Sequence, residues 1–147
     1  MDLVERESDL GALALLGELD GAAIDALVAA AGPDSTSALI SVELRHAGGA
    51  LSRASTGAGA VATLPGSYAF FAVGIADPAL AEKTDADLDR VAGALRPYEV
   101  GHYLNFVEER ADAAGFFPPL VAQRLEAARE AYDPERVMHA NHEIGAR

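Results

Sequence analysis

A chain of 147 residues has room for one domain, and a globule of that size buries roughly 70% of the surface its unfolded form exposes. Half of the residues are apolar, yet no stretch approaches the roughly 20 consecutive apolar residues of a membrane span; the lack of cysteine excludes disulfides, thiolate metal sites, a cysteine nucleophile and a cysteinyl cofactor link. Lys plus Arg number 11 against 23 Asp plus Glu, a formal charge of −12, and a field of that sign repels nucleic-acid phosphates and anionic lipid, so neither is an expected partner.

Met1 to Leu10 mixes acidic, basic and apolar residues without the basic-then-apolar layout of a secretory signal, which leaves the cytoplasm as the expected location. Asp20 can cap a helix that carries Ile24, Leu27, Val28 and Ala31 on one face and stops at Gly32-Pro33. From Ala38 the period changes to two, with Ile40, Val42 and Leu44 on one side and Ser41, Glu43 and Arg45 on the other, as in a half-buried strand. Gly48-Gly49 and Pro65-Gly66 read as turns on either side of a short apolar segment at Ala60 to Leu64. Tyr68 to Ile75 is a continuous apolar run of strand length, rich in aromatic and branched residues, and predicts a central strand.

Thr84 opens a second predicted helix with Asp85 and Asp87 in its first turn, an apolar stripe of Leu88, Val91, Ala92 and Leu95, and Pro97 as its stop. Gly101 to Val107 alternates again, so a strand is predicted with Tyr103 and Asn105 on one face and His102, Leu104 and Phe106 on the other. Beyond Phe116-Phe117-Pro118-Pro119 a third helix is expected to align Val121, Leu125, Ala128 and Tyr132 and to end at Asp133-Pro134. Strands and helices that do not alternate strictly imply an α+β fold, an antiparallel β-sheet with helices packed on one face, in a single domain over residues 1–147.

Several chemistries are weakly supported by these residues. His139, His142 and Glu143 have metal-binding side chains, but their spacing suits one face only of a helix, which Pro134 and Asn141 disfavour, so no metal site is assigned. Ser52 and Ser55 lack a base and acid arrangement, and His46 and His102 read as structural. Gly57-x-Gly59 lacks the third glycine and the strand-to-helix setting of a phosphate loop.

Four segments in order carry a more specific signal: Val42-Glu43-Leu44-Arg45-His46-Ala47-Gly48-Gly49-Ala50, Leu95-Arg96-Pro97-Tyr98, Tyr103-Leu104-Asn105-Phe106, and Tyr132-Asp133-Pro134 followed by Asn141 and Ile144. From about Leu19 to Ile144 the chain resembles the C-terminal substrate-binding part, the berberine-like segment, of berberine-bridge-type FAD-linked oxidoreductases. The resemblance implies a flavoprotein component whose antiparallel sheet covers the isoalloxazine ring and binds a small organic substrate. Tyr103 matches the tyrosine of the family's Tyr-x-Asn motif, a catalytic base in some members. Asn105 matches the asparagine beside the ring, and Asn141 an asparagine in the segment that approaches the flavin. The tail departs from the family pattern at Arg136, where asparagine is usual, and at Met138, His139 and Glu143. The family's FAD-binding domain, with its glycine-rich phosphate-cradling loop and flavin-linking histidine, has no counterpart in these 147 residues, so FAD is expected only with a separate FAD-binding partner and not on the isolated chain, the alternatives being a homodimeric or stand-alone small-molecule-binding module, or a flavin-independent cyclase or isomerase.

Overall fold

The computed structural model describes residues 11–75, 77–107 and 110–145. Four strands, β1 (Gly11–Leu16), β2 (Ser41–His46), β3 (Tyr68–Val73) and β4 (Glu99–Gly101), form one antiparallel sheet in the order β2-β3-β1-β4. Helix α1 (Gly21–Ala31) joins β1 to β2, and α2 (Ala81–Leu95) joins β3 to β4. Both crossovers skip one strand, which gives the split β-α-β-β-α-β arrangement. A third helix, α3 (Pro119–Tyr132), follows, and the architecture is the α+β class that the sequence predicts.

Helix α1 begins and ends where Asp20 and Gly32-Pro33 place it: the Asp20 carboxylate accepts the Ala23 N–H at 2.8 Å. Its buried side is different, however. Ala23 and Ala30 are buried with Leu27 beside them, while Ile24 and Val28 are 43% and 55% exposed. Small side chains bring the helix close to α2, and the larger branched ones turn to water. α2 starts at Ala81, ahead of the expected Thr84, because Asp77 folds an Asx turn onto the Ala79 N–H; its stripe of Leu88, Val91, Ala92 and Leu95 is buried as expected. The Arg96–Tyr98 turn then stops it at Pro97.

Register fixes the two faces of the sheet. Leu15 stands opposite Ala69 and Leu13 opposite Phe71, while Glu43 stands opposite Phe71 and Arg45 opposite Ala69. Ala12, Ala14, Leu16, Phe70 and Ala72 therefore share the side covered by α1 and α2, where Val42, Leu44 and Tyr68 extend the same core. Gly74 lets α2 approach β3: a Cβ there would lie 2.1 Å from Thr84 Cγ2. Beneath the helix, Asp87 is fully buried and accepts from Ala38 N–H and Lys83 Nζ, both at 2.7 Å, and from Arg90 at 2.6 Å. This carboxylate ties α2 to the lead into β2.

β1, a central strand, lies in a run to which the sequence reading assigns no element, and the segment at 60–64 forms no strand. The expected strand at 101–107 also fails. β4 ends at Gly101, next to a register shift at Leu15/Leu16, and Leu104–Phe106 is a short 3-10 turn. In α3 the buried residue is Ala122, with Val121 and Leu125 half-buried, whereas Ala128 is exposed and Tyr132 is 89% exposed. No helix among the described residues is long and apolar enough to cross a membrane.

Candidate functional site

The sheet face turned away from α1 and α2 carries Ser41, Glu43 and Arg45 from β2, Ala69, Phe71 and Val73 from β3, and Leu13 and Leu15 from β1. Over its β2–β3 side lies the turn that follows β4. Phe106 stacks on Phe71 with ring centroids 5.3 Å apart, the Arg45 guanidinium lies 5.3 Å from the same ring, and Tyr103 meets it edge-on at 4.9 Å. Strict alternation would have sent Phe106 to the helix side; the 3-10 turn instead brings Phe106 and Tyr103 together on the opposite side. Tyr103 is half-buried there, and Asn105, at the middle of the turn, is exposed. The pairing of Tyr103 with Asn105 by strand alternation is thus replaced by a pairing of Tyr103 with Phe106.

Arg45 has a second task in the cluster. It pairs with Glu43 at 2.8 Å, and its hydrogen bond and positive charge hold the Glu43 carboxyl below its ordinary value. At the other edge of the sheet, Glu99 opens β4 with a nearly buried side chain, one of whose oxygens has no hydrogen bond; His102 Nε2 is 3.4 Å away, and the His102 ring meets Phe116 edge-on at 5.7 Å. Burial pushes the Glu99 carboxyl up, with His102 and Arg96 opposing that shift. Tyr98 reaches back to α1, donating to Asp20 at 2.8 Å. The Ala23 N–H and this phenol hold Asp20 low, and the same contact raises Tyr98.

Asn141 is exposed in the tail and is not brought beside Tyr103 by any contact among the described residues. The tail itself returns to the turn after β4. The His142 ring accepts the Ala111 N–H at Nδ1 (3.4 Å) and donates from Nε2 to the Val107 carbonyl (3.0 Å). Glu143 pairs with Arg129 and, at 3.2 Å, with Arg110, while its carbonyl accepts the Ala113 N–H at 2.8 Å. Asp133 stops α3 and accepts the N–H groups of Val137 and Met138 at 2.8 and 3.2 Å. Arg136 is the non-glycine residue with positive φ, +52°, among the described residues. No group of three or more His, Asp or Glu among them is arranged to hold a metal ion.

Residues that sequence reading missed are Phe106 as the partner of Tyr103, Phe71 and Arg45 as the further partners of Phe106, and Asp87 as a buried charge. Only the i,i+4 and i,i+3 spacing of Lys83 and Arg90 to Asp87 could have marked the last. Comparison with protein-family models, with curated proteins and with solved structures found no match to the chain.

Proposed function

We propose that this chain is the substrate-binding, flavin-covering component of an FAD-linked oxidoreductase, working with an FAD domain supplied by another chain. The observation that carries the reading is the position of Arg136. The family pattern that the chain resembles has asparagine there, and Arg136 holds the left-handed backbone that asparagine tolerates best. A physical requirement of the fold therefore coincides with the pattern at a place where the residue itself departs from it. The exposed apolar side chains of Leu120, Tyr132, Val137 and Met138 around α3 and the tail add support, since a partner would cover them.

Tyr103, Phe106 and Asn105 suit the covering of a flat ring and offer no cradle for a pyrophosphate, so tight flavin binding falls to the partner. Flavin would accept a hydride equivalent from a small organic substrate. Tyr103 would take or relay the proton, its ring held by Phe106 so that the phenol keeps one orientation. Asn105 and Asn141 would offer neutral amide donors and acceptors to the ring. The test is the visible spectrum of the chain purified alone and together with an FAD-binding partner. The isolated chain is expected to be colourless; with the partner, Tyr103→Phe is expected to slow flavin reduction at least tenfold. A stoichiometric yellow chromophore on the isolated chain, or unchanged reduction in the variant, overturns the proposal.

A second reading, a binding module that has lost flavin chemistry or a flavin-independent cyclase or isomerase, is favoured by one feature. Phe106 already covers Phe71 on the face a flavin would approach. Ligand binding or turnover without flavin, lost in Tyr103→Phe, would favour it.

A further inference from the structure

β2 is an edge strand of six residues, whereas β4 at the other edge has three and a register shift beside it. The Ala47 N–H donates to the Ser67 carbonyl at 2.8 Å, one step past the His46–Tyr68 pair, which fixes the phase of the ladder. Odd-numbered residues of β2 exchange hydrogen bonds with β3, and the N–H and C=O groups of Val42, Leu44 and His46 point outward. Among the described residues no strand pairs with this edge, and a long open edge of this kind is a template for another strand.

We infer that a second copy of this chain pairs antiparallel with β2, about a two-fold axis through Leu44. The sequence Val42-Glu43-Leu44-Arg45-His46 selects that axis. Centred on Leu44, the outward groups of Leu44 bond those of Leu44 in the second copy, and those of Val42 bond those of His46. Glu43 then stands directly opposite Arg45 of the second copy, and Arg45 opposite its Glu43, two complementary pairs created by one symmetry axis. Shifting the axis to residue 43 sets Glu43 against Glu43; shifting it to residue 45 sets Arg45 against Arg45. Both are repulsive, so charge chooses the register. On the helix side Leu44, half-buried at the margin of the core, meets Leu44 of the second copy, and Val42 lies diagonally beside it, so the two cores join there. Within one chain Glu43 and Arg45 already pair at 2.8 Å on this strand, so the cross-strand pairs exchange one partner of the same charge for another. This pairing is independent of any flavin chemistry.

Light scattering and sedimentation of the full chain, from low to high micromolar concentration, test it. The chain is expected to run at twice its 15.2 kDa mass. Glu43→Arg sets like charges opposite each other at both pairs and should weaken dimerisation roughly tenfold or more. Arg45→Glu should do the same, and the double variant Glu43→Arg/Arg45→Glu, which rebuilds both pairs in reverse, should recover most of the loss. Circular dichroism confirms that each variant folds. A monomer at every concentration, a dimer indifferent to the single changes, or a double variant as weak as the singles, overturns the inference.

Discussion

The sheet with α1 and α2, and the region after β4, are held together by different forces. In the first, Leu15, Leu16, Phe70, Leu88, Val91 and Leu95 lie at 0–1% exposure, and the fully buried Asp87 carboxylate is satisfied on both oxygens. In the second, the buried apolar residues among those described are Ala113 and Ala122, and the chain is tied down by Arg129, Arg110 and Glu143, by Arg136 and Glu130, and by the His142 ring. Burial supplies stability in proportion to area, whereas partly exposed ion pairs contribute little. The contrast implies a division of labour: one region folds the chain, and the other keeps its larger apolar groups, Leu120, Tyr132, Val137 and Met138, facing outward. Substitutions should have large effects in the first region and small ones in the second.

Phe70 gives the largest expected effect. It is 1% exposed at the centre of the helix-covered face, and Phe70→Ala should cost roughly 3–5 kcal/mol in urea unfolding by removing the ring and leaving a cavity. A loss under about 1 kcal/mol would erase the contrast between the regions.

Asp87 comes next and can be read by pH. Burial opposes its ionisation, but hydrogen bonds from Lys83, the Ala38 N–H and Arg90 outweigh that and lower its pKa from 3.8 to about 2. A folded-state value below the unfolded one stabilises the fold when the group is ionised. That contribution is complete above 3.8 and is lost as pH falls from there through about 2. Asp87→Ala, which leaves the Ala38 N–H unpaired, should cost about 1–3 kcal/mol at neutral pH and flatten the acid limb of the stability curve. An acid limb unchanged in the variant would show that other carboxylates govern it.

Glu99 stands at the junction of the two regions and has the opposite sign. Its carboxyl is raised by burial, so ionisation at neutral pH costs stability that is regained as pH falls through the folded value. Glu99→Gln keeps the shape without the charge and should raise stability at pH 7 by roughly 0.5–1 kcal/mol, with the gain shrinking in acid. If the variant is less stable at pH 7, the contact with His102 outweighs the cost of burying the charge.

The sequence announces some of this division and conceals the rest. The stripe of α2, the Asp20 cap and the period of β2 are legible because each sets one apolar side against one polar side. β1 escapes the same reading because both of its faces are buried, leaving Gly11–Leu16 without alternation to detect. In α1, hydropathy favours Ile24 and Val28, but the close approach to α2 selects alanines. Gly101–Val107 does alternate, yet alternation does not guarantee a neighbour to pair with. The chain leaves β1 at the register shift, and Phe106 buries its ring on Phe71 instead. The motif singles out Tyr103, whereas its contact with Phe106, and through that ring with Phe71 of β3 and Arg45 of β2, depends on the turn and is not legible in the sequence.

Arg136 offers the smallest effect and the sharpest test of the second region. Its φ of +52° strains an ordinary L side chain, most of all a β-branched one, and asparagine least apart from glycine. Against that strain stand its bonds to the Gly145 carbonyl at 3.3 Å and to Glu130 at 3.1 Å, the latter with a largely exposed partner. Arg136→Asn relieves backbone strain and loses these contacts, so the net change in urea midpoint should correspond to less than about 0.5 kcal/mol. Arg136→Val loses the same contacts and adds strain, and should cost roughly 1–2 kcal/mol. The difference between the two variants isolates the backbone, because both delete the guanidinium. Equal losses would mean that the side-chain contacts, and not the left-handed turn, fix the tail, and the coincidence with the family's asparagine would then carry no weight.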